Sequence, residues 1–191
     1  SGVEGVDEYQ HRARIRCGDG DIFATVTEPA AGYEDYCRQY LGLGAPEHVF
    51  AHPENSALEV SNGCGVGATY QRLIERTRES SGLLIEPYMG IEDVWQLAQQ
   101  ISSDSGCCVQ MVSPPPEVTW VANDKTLFSE LVADVLGEEA LVVTRTAHDV
   151  PTLVGCIREI SSGVLRVAIK RPRCASAMGN RLLHVEDLEI G

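Results

Sequence analysis

The chain has 191 residues, of which 43% are hydrophobic and 23% charged, and its 28 acidic and 15 basic residues give a formal net charge of −13. Unless basic residues are strongly segregated, this charge excludes a nucleic-acid reader or a binder of anionic lipid, because phosphate is repelled at long range. No run of about 18 apolar residues occurs, so we expect no membrane span. A local basic cluster can still bind a small anion.

Cysteine and histidine usage predicts no metal centre. The seven cysteines include no Cys-x-x-Cys pair, which argues against a zinc site or a disulfide framework and favours a reducing, cytoplasmic location. The five histidines lack metal-ligand spacing on any predicted element, so they are interpreted as solvated or helix-capping residues. They lie at positions 11, 48, 52, 148 and 184.

Strand and helix patterns alternate through the first part of the chain. Residues 1–31 are polar apart from the apolar run 22–26. Apolar side chains at helical spacing then predict three helices, over residues 33–41, 66–77 and 91–101. Strands are predicted at 47–53, 83–88 and 107–112, and the last of these is an unbroken apolar run typical of a strand covered on both faces. The alternation predicts an α/β fold built on a parallel sheet.

The proline-rich segment SPPPE, residues 113–117, predicts a boundary, because prolines continue neither a strand nor a helix. The helix after it is capped by Asn123 or Asp124 and is expected to bury Leu127, Phe128, Leu131, Val132 and Val135. The next elements are a strand over 140–145, a helix capped by Asp149, a strand over 164–172, and a return strand with an acidic tail over 181–191. In the strand over 164–172 the apolar residues 165, 167 and 169 alternate with residues 166, 168 and 170, so Lys170 ends the strand on its less apolar face. The predicted fold is therefore α/β, with a parallel-sheet domain over 1–116 and a smaller α+β subdomain over 117–191.

Two segments are candidates for a phosphate site. The glycine-rich stretch NGCGVG, residues 62–67, precedes a helix and could cradle a phosphate on backbone N–H groups, although an ordinary loop before a helix explains it as well. The second segment, VAIKRPRCASAMGN at 167–180, places three cationic side chains beside a run of small residues. An exposed hairpin is the alternative interpretation of that second segment.

The order of these motifs resembles the ATP-grasp ligase superfamily. The likeness is carried by NDK (123–125) before a helix, by VAIKRP (167–172) at a strand end, and by the small-residue loop ASAMGN (175–180). Residues 32–112 resemble the α/β domain that precedes many ATP-grasp modules, with EDYCRQYLGLG (34–44) and LLIEPYMG (83–90) similar to its peptide-ligase-like members.

The resemblance implies specific roles for a few residues. Lys125 and Lys170 would reach the phosphates of ATP, and a loop formed by Ser176, Ala177, Met178, Gly179 and Asn180 would fold over them. Ammonium groups suit this role because they stabilise phosphate charge, and small residues let backbone N–H groups approach. The implied partners are ATP with Mg²⁺, a carboxylate substrate and an amine acceptor; a homo-oligomer is compatible with them.

The implied activity is the joining of a carboxylate and an amine through an acylphosphate, as in peptide-type ligases. In that superfamily the adenine hinge, the magnesium ligands and the second lobe come later in the chain. We therefore expect these residues to be the N-terminal portion of a longer enzyme and, by themselves, to bind nucleotide weakly and catalyse nothing. The alternative is a non-catalytic binding or scaffolding domain of ATP-grasp ancestry.

Overall fold

The computed structural model describes residues 5–52, 54, 56, 59–174 and 179–188. The chain divides into two compact units, Ser1–Pro116 and Glu117–Gly191. The architecture is mixed α/β, with small parallel and antiparallel strand pairs and a large share of helix. Within the described residues, no helix combines the length and apolar character needed to cross a bilayer.

The first unit contains two parallel strand pairs, each joined through a helix. Strand β1 (Ile22–Thr25) leads through helix α1 (Tyr33–Gln39) to β2 (Glu47–Phe50), and Ile22 pairs with Glu47. Strand β3 (Gly82–Ile85) leads through helix α4 (Glu92–Ser105) to β4 (Cys108–Met111), and Gly82 pairs with Cys108. A helical crossover is the usual connection between parallel strands. Two further helices lie between these pairs: α2 (Val60–Cys64) and α3 (Gly67–Glu79).

The core of this unit lies between α3, α4 and the strands. The apolar stripes of the two helices follow the predicted spacing, so these helices are confirmed. Partly buried side chains from both strand pairs pack on the same core, including Ala24, Leu83 and Val109. The buried members are Ala51, Cys64, Tyr70, Leu73, Ile74, Leu97 and Ile101.

The expected single parallel sheet is not formed by the described strands, which pair only two by two. The two pairs share side-chain packing on one core, but a ladder also needs strands about 4.8 Å apart along their whole length. Strand β4 was expected to be covered on both faces, and this is wrong. Cys108 and Gln110 are exposed while Val109 packs inward, because β4 has one neighbour, β3, among the described strands.

Polar side chains fix the N-terminal 3-10 helix, Val6–Arg16, to the first unit. Arg14 is fully buried and forms a two-pronged ion pair with Glu34 at 2.7 and 2.6 Å, while it also donates to the carbonyls of Cys17 and Gly44. His11 is 5% exposed, with Nδ1 2.7 Å from Glu8 Oε2 and Nε2 3.1 Å from the Thr27 carbonyl. The interpretation of the histidines as solvated or capping residues is therefore wrong for His11.

A second histidine is also packed rather than solvated. The His48 ring stacks on Phe23 at 4.9 Å between centroids and lies 4.3 Å from the ring of Phe50, and its Nε2 is 2.7 Å from the Thr25 hydroxyl. Burial lowers the pKa of His48, because loss of water penalises the charged imidazolium. The spacing of histidines along the sequence gives no sign of this packing.

The described part of the second unit contains three α-helices, two short 3-10 turns and one hairpin. Helix α5 (Pro116–Asn123) starts at the last proline of the SPPPE segment, where a missing N–H costs nothing. Helix α6 (Lys125–Leu136) begins after Asp124, and helix α7 (Val150–Ile160) begins after Asp149; both aspartates accept backbone N–H bonds as predicted. Strands β5 (Arg166–Lys170) and β6 (Asn180–His184) are antiparallel, and Lys170 pairs with Asn180.

Two expectations for this unit are wrong. Residues 140–145 form no strand: a short 3-10 turn, Glu138–Ala140, is followed by chain in which Val142 is 84% exposed. A β-branched run indicates propensity, but a strand also needs a partner. Helix α6 buries none of its residues, and Val135 is 69% exposed. A small unit has a large surface relative to its volume, so its other elements cannot cover both sides of every helix. The other expected core residues of α6, Leu127, Phe128, Leu131 and Val132, are exposed or half-buried.

The exposure of α6 gives a first prediction. Leu131→Ala should lower the free energy of unfolding of its unit by less than about 1 kcal/mol, because the Leu131 side chain is already exposed and the substitution removes little buried apolar area. Leu73→Ala in the buried stripe of α3 should cost about 2–4 kcal/mol, because it leaves a cavity. Urea unfolding of both variants measures this. Equal losses would show that α6 packs as tightly as α3.

The ion pair of Arg14 gives a second. Glu34→Gln should destabilise the first unit by about 2 kcal/mol, since it leaves a buried guanidinium without its counter-charge. The side chain of Glu34 is 41% exposed, which keeps the cost below that of a fully buried pair. The control is Glu75→Gln. The Glu75 side chain is 62% exposed, and its Oε2 lies 3.5 Å from Arg72 Nη1, which is a longer ion pair than that between Arg14 and Glu34. This substitution should cost less than about 0.5 kcal/mol.

The same pair makes stability depend on pH. The hydrogen bond from Arg14 lowers the pKa of Glu34. Its stabilisation is therefore complete above the ordinary glutamate pKa of about 4.3 and is lost as pH falls through the lowered value. The difference in free energy of unfolding between wild type and Glu34→Gln should shrink as the solution is acidified. A difference that stays constant down to acid pH would contradict this assignment.

Candidate phosphate-binding site

Lys170 lies at the exposed end of β5, where the hairpin opens into a loop. Its strand alternates as predicted: Val167 is buried, while Ala168 and Lys170 are exposed. One further backbone bond extends the hairpin beyond the strands, from Arg171 N to the Gly179 carbonyl at 2.9 Å. The predicted strand and return strand are thus confirmed over the shorter ranges of β5 and β6, and they bring Lys170 and Asn180 side by side. The return strand ends at His184, and a 3-10 turn, Val185–Asp187, follows it.

Lys125 reaches the same loop from the first turn of α6. Its Nζ donates to the carbonyls of Arg171, Pro172 and Cys174 at 3.1, 3.1 and 2.9 Å, and its backbone N–H bonds Pro172 O at 3.2 Å. An ammonium has three hydrogens, so the three carbonyls use all of them. Lys125 therefore holds the base of the loop that begins next to Lys170.

Asp124 forms a second link between the N-terminus of α6 and the loop, in addition to the one made by Lys125. Its Oδ1 accepts from the backbone N–H groups of Thr126 and Leu127, and its Oδ2 accepts from Arg173 Nε at 2.8 Å. The hydrogen bond from Arg173 lowers the pKa of Asp124, and the two capping N–H groups act in the same direction. The Asp124 side chain is only 10% exposed, so it is a carboxylate held between a helix N-terminus and a guanidinium.

Position 179 requires glycine because neighbouring atoms lie too close for a side chain, and not because of its backbone dihedral angles. A Cβ built there would lie 2.6 Å from Cys174 Cβ and 2.9 Å from Arg171 Cβ, so any side chain would push the two arms of the loop apart. Of the other predicted loop residues, Asn180 begins β6, whereas Ser176, Ala177 and Met178 lie outside the described residues.

The structure thus brings both predicted lysines to one loop base. Among the 15 lysine and arginine residues of the sequence, these two are the only lysines. Lysine carries a compact point charge, whereas arginine forms fixed planar forks. The residues that sequence reasoning missed are Arg173 as the partner of Asp124 and Trp120, whose ring lies 5.5 Å from the Arg173 guanidinium carbon. No spacing rule could find them, because Arg173 is 49 residues from Asp124.

The other candidate, NGCGVG, is not a simple turn. Its Asn62–Cys64 part belongs to the short helix α2, and Gly67 begins α3. Beside it lies a cavity of about 420 Å³ at the ends of β1 and β2, lined mainly by apolar groups such as Phe50, Val66 and Ala68, with His52 and Thr69. In the described part of the chain, no group of three or more His, Cys, Asp or Glu side chains is placed to hold a metal ion.

Comparison with known proteins adds no further likeness: no family model matches the chain, and neither a curated protein nor a solved structure matches it.

The contact at Gly179 yields a third prediction. Gly179→Ala should destabilise the second unit by about 1–3 kcal/mol, since the added methyl overlaps side-chain Cβ atoms that cannot rotate away. The control is Gly155→Ala in α7, where nothing lies within 4 Å of the added Cβ. It should stabilise by about 0.5–1 kcal/mol through helix propensity. Thermal unfolding measures both, and a neutral Gly179→Ala would contradict the tight loop base.

Proposed function

We propose that this chain supplies the phosphate-binding part of an ATP-grasp carboxylate–amine ligase. In such a reaction the carboxylate oxygen attacks the γ-phosphorus of ATP and ADP leaves. The amine then attacks the acyl carbon of the acylphosphate, and inorganic phosphate leaves. The role of these residues would be to hold phosphate oxygens while charge builds on them, and the reaction would take place in the cytoplasm, where ATP is plentiful.

The observation that carries the proposal is the convergence of the two lysines. They are 45 positions apart in sequence, yet the Lys125 ammonium bonds the carbonyl of Arg171, the residue directly after Lys170. Lys170 and Arg171 are both exposed at this hairpin end, so their positive charges are accessible to an anionic ligand. A phosphate at the hairpin end would supply the missing negative charge.

The residues present fit a polyphosphate. Lys170 is exposed and no hydrogen bond or ion pair engages its ammonium within the described residues, so it is available to a ligand oxygen. At Gly179 the close approach of Cys174 and Arg171 leaves no room for a side chain, so the backbone there is open to a ligand oxygen. We assign no magnesium ligand to the described residues.

One observation favours the second candidate, a non-catalytic binding or scaffolding domain. All three hydrogens of the Lys125 ammonium are used by backbone carbonyls, so Lys125 serves the loop rather than a ligand in this arrangement. If Lys125 is purely structural, Lys170 remains as an isolated exposed cation, and salt screens such a charge.

Binding of ATP to the purified 191-residue chain separates the two. We expect weak binding, loss of about tenfold in affinity in Lys170→Ala, and a smaller loss in Lys125→Ala. The control is Arg166→Ala, since Arg166 is an exposed cation at the other end of β5; it should change affinity by less than about twofold. Calorimetry gives the affinities, and amide shifts of Arg171 and Gly179 locate the ligand.

Several results would contradict the proposal. Adenosine without phosphates should leave the Arg171 and Gly179 amides unmoved, and an equal response to adenosine and ATP would exclude a phosphate site. Unchanged ATP affinity in Lys170→Ala would favour the scaffolding alternative. With magnesium–ATP and a mixture of amino acids, we expect these residues alone to release no ADP; sustained release would place the catalytic groups inside this chain.

A further inference from the structure

We propose that Arg173 is a preoriented binding residue for a phosphoryl group, with Asp124 and Trp120 as the residues that position it. The inference rests on the proposed function, because it names a further ligand-binding side chain at the same loop. The ligand class is an anion that presents two oxygens from one phosphorus atom.

The guanidinium of Arg173 is held on one edge and open on the other. Its Nε donates to Asp124 Oδ2 at 2.8 Å, while the side chain remains 59% exposed. Within the described residues, neither Nη1 nor Nη2 of Arg173 has a hydrogen-bond partner. An arginine fork whose two terminal NH2 groups are unused matches the spacing of two phosphate oxygens.

Three contacts fix the direction of this fork. Asp124 is itself immobilised, because its Oδ1 caps α6. The centroid of the Trp120 ring lies 5.5 Å from the guanidinium carbon, which is within cation–π distance. The Lys125 ammonium bonds the carbonyls of Pro172 and Cys174, the residues on either side of Arg173. The backbone of Arg173 is therefore held from both sides while its side chain is held by Asp124.

The neighbouring cations lack such support. Lys170 and Arg171 are exposed, and no side-chain bond to a described residue holds either of them. They add positive potential, but a flexible exposed cation must lose conformational freedom to bind. Arg173 has lost much of that freedom before the ligand arrives. Its contribution to binding should therefore depend on geometry and not only on charge.

The test is titration of the whole chain with inorganic tripolyphosphate, followed by calorimetry and by the amide shifts of Arg171 and Gly179. Arg173→Lys keeps the charge but lacks the fork, and it should weaken binding by about tenfold. The matched control, Arg171→Gln, removes a neighbouring charge and should weaken binding by about two- to threefold. That smaller effect should fade as salt is raised, because exposed charges are screened, whereas the loss in Arg173→Lys should persist.

Asp124→Asn gives a result with a diagnostic sign. Asparagine is as good a helix cap as aspartate, so folding should be retained. Removing a negative charge should tighten anion binding if Asp124 only repels the ligand. We expect the opposite, a loss of about threefold, because the fork is no longer held by a carboxylate. Citrate, a carboxylate anion of similar charge, should bind more weakly than tripolyphosphate and should lose little affinity in Arg173→Lys.

The outcomes separate this inference from the proposed function. If Lys170→Ala loses tripolyphosphate binding while Arg173→Lys binds as wild type, the inference is wrong and the Lys170 site stands. If Arg173→Lys loses binding while Lys170→Ala does not, the fork stands and the lysine-centred site is wrong. Tighter binding in Asp124→Asn overturns the positioning role of Asp124. Absence of any tripolyphosphate binding by the wild-type chain overturns both.

Discussion

The ammonium of Lys125 is the constraint on which the candidate site depends. It bonds three carbonyls that lie 46, 47 and 49 residues further along the chain, and so it joins the start of α6 to the loop after β5. Clustered carbonyl oxygens would repel one another without a cation among them. The single charge therefore holds the backbone on both sides of Arg173, while the β5–β6 hairpin positions Lys170 and the bond from Arg171 N positions Gly179.

A buried cation plays a similar part in the first unit. Arg14 has no exposed surface, and its guanidinium bonds Glu34 of α1 and the carbonyls of Cys17 and Gly44. A polar helix with little apolar surface of its own is thereby fixed to the unit. In both units a cationic side chain donates to carbonyl groups that lie outside the helices and strands.

The candidate site contains two kinds of cation, which would lose different amounts of conformational freedom on binding a ligand. Arg173 is held in place by Asp124 and Trp120, so little freedom remains to be lost on binding. Lys170 is exposed and bonds no other described residue through its ammonium, so its charge would be screened by salt. The whole chain carries a net charge of −13, so the exposed Lys170, Arg171 and Arg173 form a local basic cluster in an acidic protein.

The sequence by itself determined the elements whose signals are local. The stripes of α3 and α4, the caps Asp124 and Asp149, and the alternation of β5 each depend on neighbours a few residues apart, and each is confirmed. The sequence also identified the two lysines and the small-residue loop as candidate site residues, because that inference needs only the residue types and their order along the chain.

Only the tertiary structure decided which of the predicted elements pack against, or pair with, another element. The run after residue 140 has strand-forming residues but pairs with no described strand, and none of the residues of α6 is buried. The pairing of Asp124 with Arg173, the burial of Arg14, and the use of all three Lys125 hydrogens on carbonyls join residues distant in sequence. Local pattern carries no record of such contacts, since they depend on how loops close over 20 to 49 intervening positions.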